Sequence, residues 1–284
     1  MLSVEEYDSP LENKWCPGCG NFGILAAMKD ALVKLNKRPD EVLVVGGIGQ
    51  AAKTAQFIQT NFFHGLHGRA LPSATGAKLA NHELTVIVNS GDGDCYGEGG
   101  NHFMNAIRRN VNLTLLVHDN KVYGLTKGQA SPTSDLGFVT KMQVKGVVSE
   151  RFNPLLVALS LGAGFVARGF SNDRVHTSRL IQDAINYRGF ALINIMTPCV
   201  TYNKINTHSY YKKRATDLYD TDYVPDDLDK AMKMVQEEGD QMPIGIFYQK
   251  EKPILSDRID VLKDRTLLSR EFDSQAVQNF LDKQ

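Results

Sequence analysis

The sequence predicts an α/β fold, a doubly wound parallel sheet with a C-terminal extension. Three observations lead there. Short apolar, β-branched runs recur between residues 20 and 197, they stop at glycine or a polar residue, and stretches of helical periodicity separate them. Runs that are apolar at nearly every position suit strands buried on both faces, as in a parallel sheet covered by helices.

The elements follow in order. Residues 21–35 place Ile24, Leu25, Met28, Leu32 and Leu35 on one helical face. A strand over 41–46 ends at Gly46. A glycine-rich loop at 65–72 precedes a helix over 73–80, and the strand at 84–90 runs into Gly91. A helix over 99–109 leads to a strand at 112–118 that ends at Asp119. Helices over 153–161 and 171–187 alternate with strands at 163–167 and 190–196. In such a sheet, ligands bind at the carboxyl ends of the strands. Beyond residue 200 the composition turns to Tyr, Lys and Asp, with a helix near 225–238 and a strand at 243–248. This divides the chain into an α/β domain over 1–200 and an extension over 201–284 that wraps the core or a partner chain.

The bulk numbers exclude several classes. The 284 residues are 42% hydrophobic, enough for a full core, and carry 32 basic against 32 acidic side chains. A balanced charge without a basic block argues against nucleic acid as a partner. No apolar run approaches the roughly 18 residues that cross a bilayer. The polar, acidic start is unlike a signal peptide, so a cytoplasmic enzyme is expected.

The chemistry concentrates where strands end. Gly91-Asp92-Gly93-Asp94 lies at the passage from strand to helix, where glycines admit a phosphate and a helix N-terminus favours it. Asp92 offers a hard carboxylate oxygen to Mg2+. The next strand ends in His118-Asp119-Asn120-Lys121-Val122. Two strand ends, one helix apart, would gather Asp92, Asn120 and a backbone carbonyl around one cation. A Gly-Asp-Gly triplet alone is common in surface turns; joined to an Asn at the next strand end it is specific.

That combination resembles the thiamine diphosphate motif, and the surroundings narrow it. Trp15-Cys16-Pro17-Gly18-Cys19-Gly20, His67-Gly68-Arg69-Ala70-Leu71-Pro72, Gly99-Gly100-Asn101-His102-Phe103, Tyr123-Gly124-Leu125-Thr126, Gly128-Gln129 and Ser131-Pro132-Thr133 are similar to the β subunit of 2-oxoacid:ferredoxin oxidoreductases. The resemblance covers roughly residues 14–200 and implies a sheet of the thiamine diphosphate-binding type. It implies oxidative decarboxylation of a 2-oxoacid with coenzyme A to acyl-CoA, electrons leaving through an iron–sulfur cluster to ferredoxin. By position, Asp92, Asn120 and the carbonyl of Val122 would hold Mg2+. Gly49, Gly91, Gly93, Asp94 and Gly124–Thr126 would line the cofactor, with Leu125 as an apolar wall at its reactive ring. Lys53 is expected to bind the substrate carboxylate and His67 to act as an acid/base or hydrogen-bonding group. Each has an ordinary alternative, a solvated lysine and a loop histidine without a role.

The cysteines depart from the family. Cys16 and Cys19 form a Cys-x-x-Cys turn, a geometry that serves a cluster, zinc or a redox pair. Cys199 follows the strand at 190–196, and Cys95 follows the Gly-Asp-Gly-Asp turn. Cys16, Cys19 and Cys199 match three of the family's cluster ligands. The fourth, in a Gly-Ile-Gly-Cys turn, is Gln50 here, in Gly47-Ile48-Gly49-Gln50. The expectation is one [4Fe–4S] cluster with a relocated ligand: Cys16, Cys19, Cys95 and Cys199. A buried free thiol at Cys95 is the alternative.

Thiamine diphosphate enzymes activate the cofactor with a glutamate from a second, related domain, and this chain has room for only one. An α or fused γα subunit is therefore implied, in an (αβ)2 assembly. The features Asn203–Asn206 and Pro243–Tyr248 look most like 2-oxoglutarate-type or broad-specificity enzymes; pyruvate is the competing substrate. Two other readings remain at this point, one half of a cluster-free thiamine diphosphate decarboxylase and a zinc-stabilised α/β scaffold.

Overall fold

The computed structural model describes residues 2–237, 239–263 and 265–283. Among the described residues ten strands are present: β1 (Val42–Gly46), β2 (Asn61–His64), β3 (Thr85–Gly91), β4 (Leu113–Asp119), β5 (Val122–Tyr123), β6 (Gln129–Ala130), β7 (Phe165–Phe170), β8 (Phe190–Met196), β9 (Ala215–Asp217) and β10 (Met242–Gln249). Eight of them form one sheet in the order β2-β1-β3-β4-β8-β7-β10-β9, and β5 and β6 pair separately as a small hairpin. From β2 to β7 every pairing is parallel; β10 joins β7 antiparallel, and β9 runs alongside β10.

The helices are α1 (Asn21–Lys34), α2 (Ala70–Ala80), α3 (Gly100–Arg109), α4 (Pro154–Ser160), α5 (Arg174–Asn186), α6 (His208–Lys212), α7 (Leu228–Gln236) and α8 (Ser274–Leu281). They cover both faces of the sheet. On one, α1 and α5 pack through Ile24, Met28, Leu32, Leu180 and Ile181 onto Val44, Ile87, Leu116 and Ile193. On the other, α2, α3, α4 and α7 supply Leu71, Phe103, Ile107, Leu155 and Val235 against Val45, Val88, Leu115 and Leu192. Alternate residues of one strand thus serve opposite cores, so β4 and β8 are buried along their whole length.

The region after residue 200 adds to this sheet before leaving it. β9 and β10 complete the far edge, and the chain then straps the sheet's amino-terminal end. There Lys250 N–H donates to Gly164 O at 2.8 Å, Leu255 N–H to Asn110 O at 3.2 Å, and Arg188 Nη1 to Asp257 Oδ2 at 2.8 Å. This strap lies opposite the carboxyl edge, which stays open for the site.

Candidate active site

The carboxyl ends of β1, β3 and β4 enclose a cleft. Its walls include Gly49, Gln50, His67, Gly91, Asp92, Gly93, Asp94, Asn120, Val122, Gly124, Leu125 and Thr126. Every residue expected to line the cofactor is brought together here. Lys53 is not among them; it sits on the short helical turn Ala52–Gln56, beyond Ala51.

The turn after β3 is tight for a visible reason. Asp92 starts a π-helical turn over Gly93–Glu98 that leads into α3. A Cβ on Gly93 would lie 2.3 Å from the Tyr123 ring, so only glycine lets this turn pass beneath the tyrosine. Asp94 is almost fully buried and collects four donors. Ile48 N–H lies at 3.0 Å, Gly68 N–H at 2.7 Å, the Ser90 hydroxyl at 2.6 Å and His67 Nδ1 at 2.7 Å. Asp94 therefore pins three loops together from below. Its bond to His67 places the imidazole proton on Nδ1 in the neutral ring and leaves Nε2 available.

The residues around Asp92 fit a divalent cation. Asp92 and Asp119 are both buried, and the single hydroxyl of Thr133 lies 2.6 Å from one carboxylate and 2.7 Å from the other. One proton can serve only one of them. Ser131 also donates to Asp92, and Asn194 donates to Asp119 at 3.0 Å. Burial first, and the Asp119 charge second, push the Asp92 carboxyl well above the usual carboxylate range. A cation against Asp92 relieves both. Asn120 uses its Oδ1 to accept Val122 N–H at 3.0 Å, which curls the chain so that Asn120 and Val122 both line the cleft.

Beside this cleft lies a second cavity, lined by Trp15, Cys16, Cys19, Asn21 and Cys199. Gln50, Asn120 and Gly124 face both cavities. The Cys16–Cys19 turn is closed by Cys19 N–H donating to Cys16 O at 3.0 Å, with Gly18 at φ +80°. Gly20 N–H donates to Pro198 O at 3.3 Å and ties this turn to the loop after β8. The sulfurs already accept bonds, Cys16 from the Thr201 hydroxyl at 3.2 Å and Cys199 from Tyr202 N–H at 3.5 Å. Burial raises the Cys19 thiol to about 11, against an opposing hydrogen bond from the Asn21 backbone. Among the described residues, no three Cys, His, Asp or Glu side chains converge closely enough for a single metal ion.

Cys95 does not join the other three, contrary to the expectation of a relocated ligand. It is buried in the core on the opposite face of the sheet, clustered with Tyr96, Phe103 and Leu115, whereas Cys19 and Trp15 pack on the α1 side. Burial, with Asp94 and Asp92 close by, also raises its thiol well above the ordinary range. The alternative, a buried free thiol, describes its position.

One polar network was not anticipated. His118, fully buried on β4, has Nδ1 2.9 Å from Asn21 Oδ1 and Nε2 2.9 Å from Asn89 Oδ1. Burial lowers it to about 3, so it stays neutral: one ring nitrogen donates to an Asn oxygen, and the other accepts from the amide NH2 of the second Asn, turned over. It couples β3 and β4 to the start of α1, just behind the Cys16–Cys19 turn.

Comparison with known proteins agrees with this geometry. Residues 45–195 match the model of the thiamine pyrophosphate enzyme C-terminal TPP binding domain. Residues 199–264 match the model of the C-terminal region of the pyruvate ferredoxin oxidoreductase β chain. The β subunit of a 2-oxoacid:ferredoxin oxidoreductase from Saccharolobus solfataricus is 49% identical over 84% of this chain and 82% of its own. The chain belongs to the 2-oxoacid:ferredoxin oxidoreductase β-subunit family. A Sulfolobus sp. relative of the same description is 46% identical over 86% of this chain and 84% of its own. Among solved structures, 2-oxoglutarate:ferredoxin oxidoreductase from Magnetococcus marinus, with 2-oxoglutarate, coenzyme A and succinyl-CoA bound, matches with a TM-score of 0.92. It is 34% identical and covers 98% of this chain and 96% of that one. The chain is thus an oxidoreductase subunit with a thiamine diphosphate-binding sheet, and as a β subunit it implies an α partner. Among the described residues no helix is long and apolar enough to cross a membrane.

Proposed function

We propose that Asp92, Asn120 and the carbonyl of Val122 hold Mg2+, which fixes thiamine diphosphate in the cleft, and that the completed enzyme converts 2-oxoglutarate and coenzyme A to the acyl-CoA and CO2. Electrons leave through an iron–sulfur cluster at Cys16, Cys19 and Cys199 to ferredoxin. The observation that carries this reading is the shared wall. Gln50, Asn120 and Gly124 separate a metal–diphosphate cleft from a three-thiol cavity, so carbon chemistry and electron exit are neighbours.

When bound, the cofactor supplies the nucleophilic carbon, and the cluster accepts single electrons. The chain's own residues position and insulate. Asp92 and Asn120 orient the diphosphate through the metal, with Ser131 and Thr133 holding the Asp92 carboxylate in place. Leu125, exposed at the cleft, forms an apolar wall that keeps water from the reactive carbon. His67, its Nδ1 proton held by Asp94, offers Nε2 as the hydrogen-bonding group on the substrate side. Lys53 stands outside the cleft wall and is given no substrate contact.

The site is completed by an α partner, in a cytoplasmic (αβ)2 assembly. The surface supports a partner on this side: Phe62 and Phe63 on edge strand β2, Leu66, Leu136, Val139, Met142, Val144 and Val148 are exposed apolar residues. Exposed apolar side chains on an edge strand and its neighbouring loops suit a protein contact. The described part of 201–284 contributes further exposed apolar side chains, Leu268, Phe272 and Phe280. For 2-oxoglutarate the support is the Magnetococcus marinus structure, whose described ligands include it.

The test is anaerobic co-expression with the partner subunit, then viologen reduction with pyruvate, 2-oxobutyrate or 2-oxoglutarate. The expected result is reduction that needs both coenzyme A and thiamine diphosphate and is fastest with 2-oxoglutarate. Turnover by the isolated β chain would contradict the two-subunit reading. Faster turnover of pyruvate would contradict the substrate assignment.

A further inference from the structure

Gln50 stands where the three-cysteine cavity lacks a fourth thiolate. It follows Gly49, whose φ of +123° turns the chain sharply after β1, and its carbonyl accepts the Trp15 indole N–H at 2.9 Å. That bond fixes Gln50 against the residue that immediately precedes Cys16. The side chain lines the cavity with Cys16, Cys19 and Cys199, and its Oε1 is buried without a hydrogen-bond partner. A buried amide oxygen without a donor is costly, by about 1–3 kcal/mol, and a ligand in the cavity that Gln50 lines would relieve that cost. Cys95, the chain's remaining thiol, lies across the sheet and cannot supply the missing corner.

We propose that this chain holds a site-differentiated [4Fe–4S] cluster. Cys16, Cys19 and Cys199 bind three of its irons, and the amide oxygen of Gln50 binds the fourth as a weak, exchangeable ligand. The inference rests on the cluster assigned above. Its chemistry follows from ligand softness. Thiolates suit iron–sulfur clusters, whereas a neutral amide oxygen is harder and carries no charge to hold the corner iron. One-electron oxidation should therefore expel that iron and leave the three thiolate-bound irons in place: [4Fe–4S]2+ gives [3Fe–4S]+, Fe2+ and one electron. The electron goes to the oxidant, and no protein bond other than the Gln50 contact to iron breaks. Ferrous iron and a reductant reverse the change.

The experiment uses the complete αβ complex, reconstituted anaerobically and analysed for iron and acid-labile sulfide before and after one equivalent of ferricyanide. The wild type is expected to lose one iron in four while keeping its sulfide. It should then show the EPR signal of an oxidised [3Fe–4S] cluster, which fades when Fe2+ and dithionite are restored. Gln50→Cys should retain all its iron and show no such signal. Gln50→Ala should be isolated with the [3Fe–4S] form already predominant. A wild-type cluster that keeps all four irons under ferricyanide would overturn the proposal, as would a Gln50→Ala cluster indistinguishable from wild type. Protein with neither iron nor sulfide would remove the cluster reading itself, an outcome distinct from an oxidation-resistant cluster.

Discussion

Asp94 is the residue whose removal has the most directly calculable consequence. Its carboxylate accepts from Ile48 N–H, Gly68 N–H, the Ser90 hydroxyl and His67 Nδ1. In Asp94→Ala, the Ser90 hydroxyl can turn elsewhere, and His67, with 39% of its side chain exposed, can reach water. The Gly68 N–H is buried and has no such escape, and the Ile48 N–H, part-buried at the cleft, has only a partial one. At roughly 2 kcal/mol for the charge-assisted bond lost to the buried donor and about 1 kcal/mol for the part-buried one, the cost is about 3 kcal/mol. That corresponds to a fall in melting temperature of about 10 °C for a chain of this size. Asp94→Asn keeps one oxygen for both N–H groups and should lose only about 1–2 kcal/mol, chiefly the charge assistance. Urea unfolding of the three proteins measures the ranking. Hydrogen exchange should accelerate at Ile48 and Gly68 while β4 amides remain protected. An Asp94→Ala protein within about 1 kcal/mol of wild type, or equal to Asp94→Asn, would refute the view that this carboxylate holds the three loops.

Two further predictions follow from the same geometry. His118 is held neutral, lowered to about 3 from an ordinary 6.5. The unfolded chain thus binds more protons between those values, and this contribution is complete above pH 6.5 and falls away toward pH 3. Its full size is about 5 kcal/mol. His118→Gln should flatten the acid limb of a stability–pH curve measured by urea midpoints; an unchanged slope would assign acid sensitivity elsewhere. Gly93→Ala would drive a Cβ to within 2.3 Å of the Tyr123 ring. Thiamine diphosphate affinity should fall at least ten-fold by calorimetric titration, with partial recovery in Gly93→Ala/Tyr123→Ala, and equal affinity for wild type and single variant would contradict the steric argument.

The parts of the fold that the sequence revealed share one physical property. β1, β3, β4, β7 and β8 are buried on both faces, so their apolar runs are nearly unbroken and bounded by polar ends. β2 escaped because Phe62 and Phe63 are exposed on an edge, where this chain's own core imposes no pattern. β9, three residues long, is set by its pairing with β10 alone. At the site, strand ends were readable because glycine and aspartate mark them; orientation around a helical turn was not. Cys95 lies three residues past Asp92, but the π-helical turn rotates its side chain into the opposite core. The same turn places Asp94 under the loops, with four protein donors of its own, a role that no linear motif expresses. The pairing of His118 with Asn21 and Asn89 was hidden for a related reason, since each partner comes from a different strand or helix.

The central claim is that Asp92 and Asn120 hold a metal-bound diphosphate at adjoining strand ends. Replacing Mg2+ by Mn2+ in the αβ complex and recording pulsed EPR with thiamine diphosphate tests it most directly. The expected spectrum shows Mn2+ coupled to the phosphorus nuclei of the cofactor, with metal binding lost in Asp92→Ala and weakened in Asn120→Ala. Manganese bound without phosphorus coupling, or retained undiminished in Asp92→Ala, would contradict it.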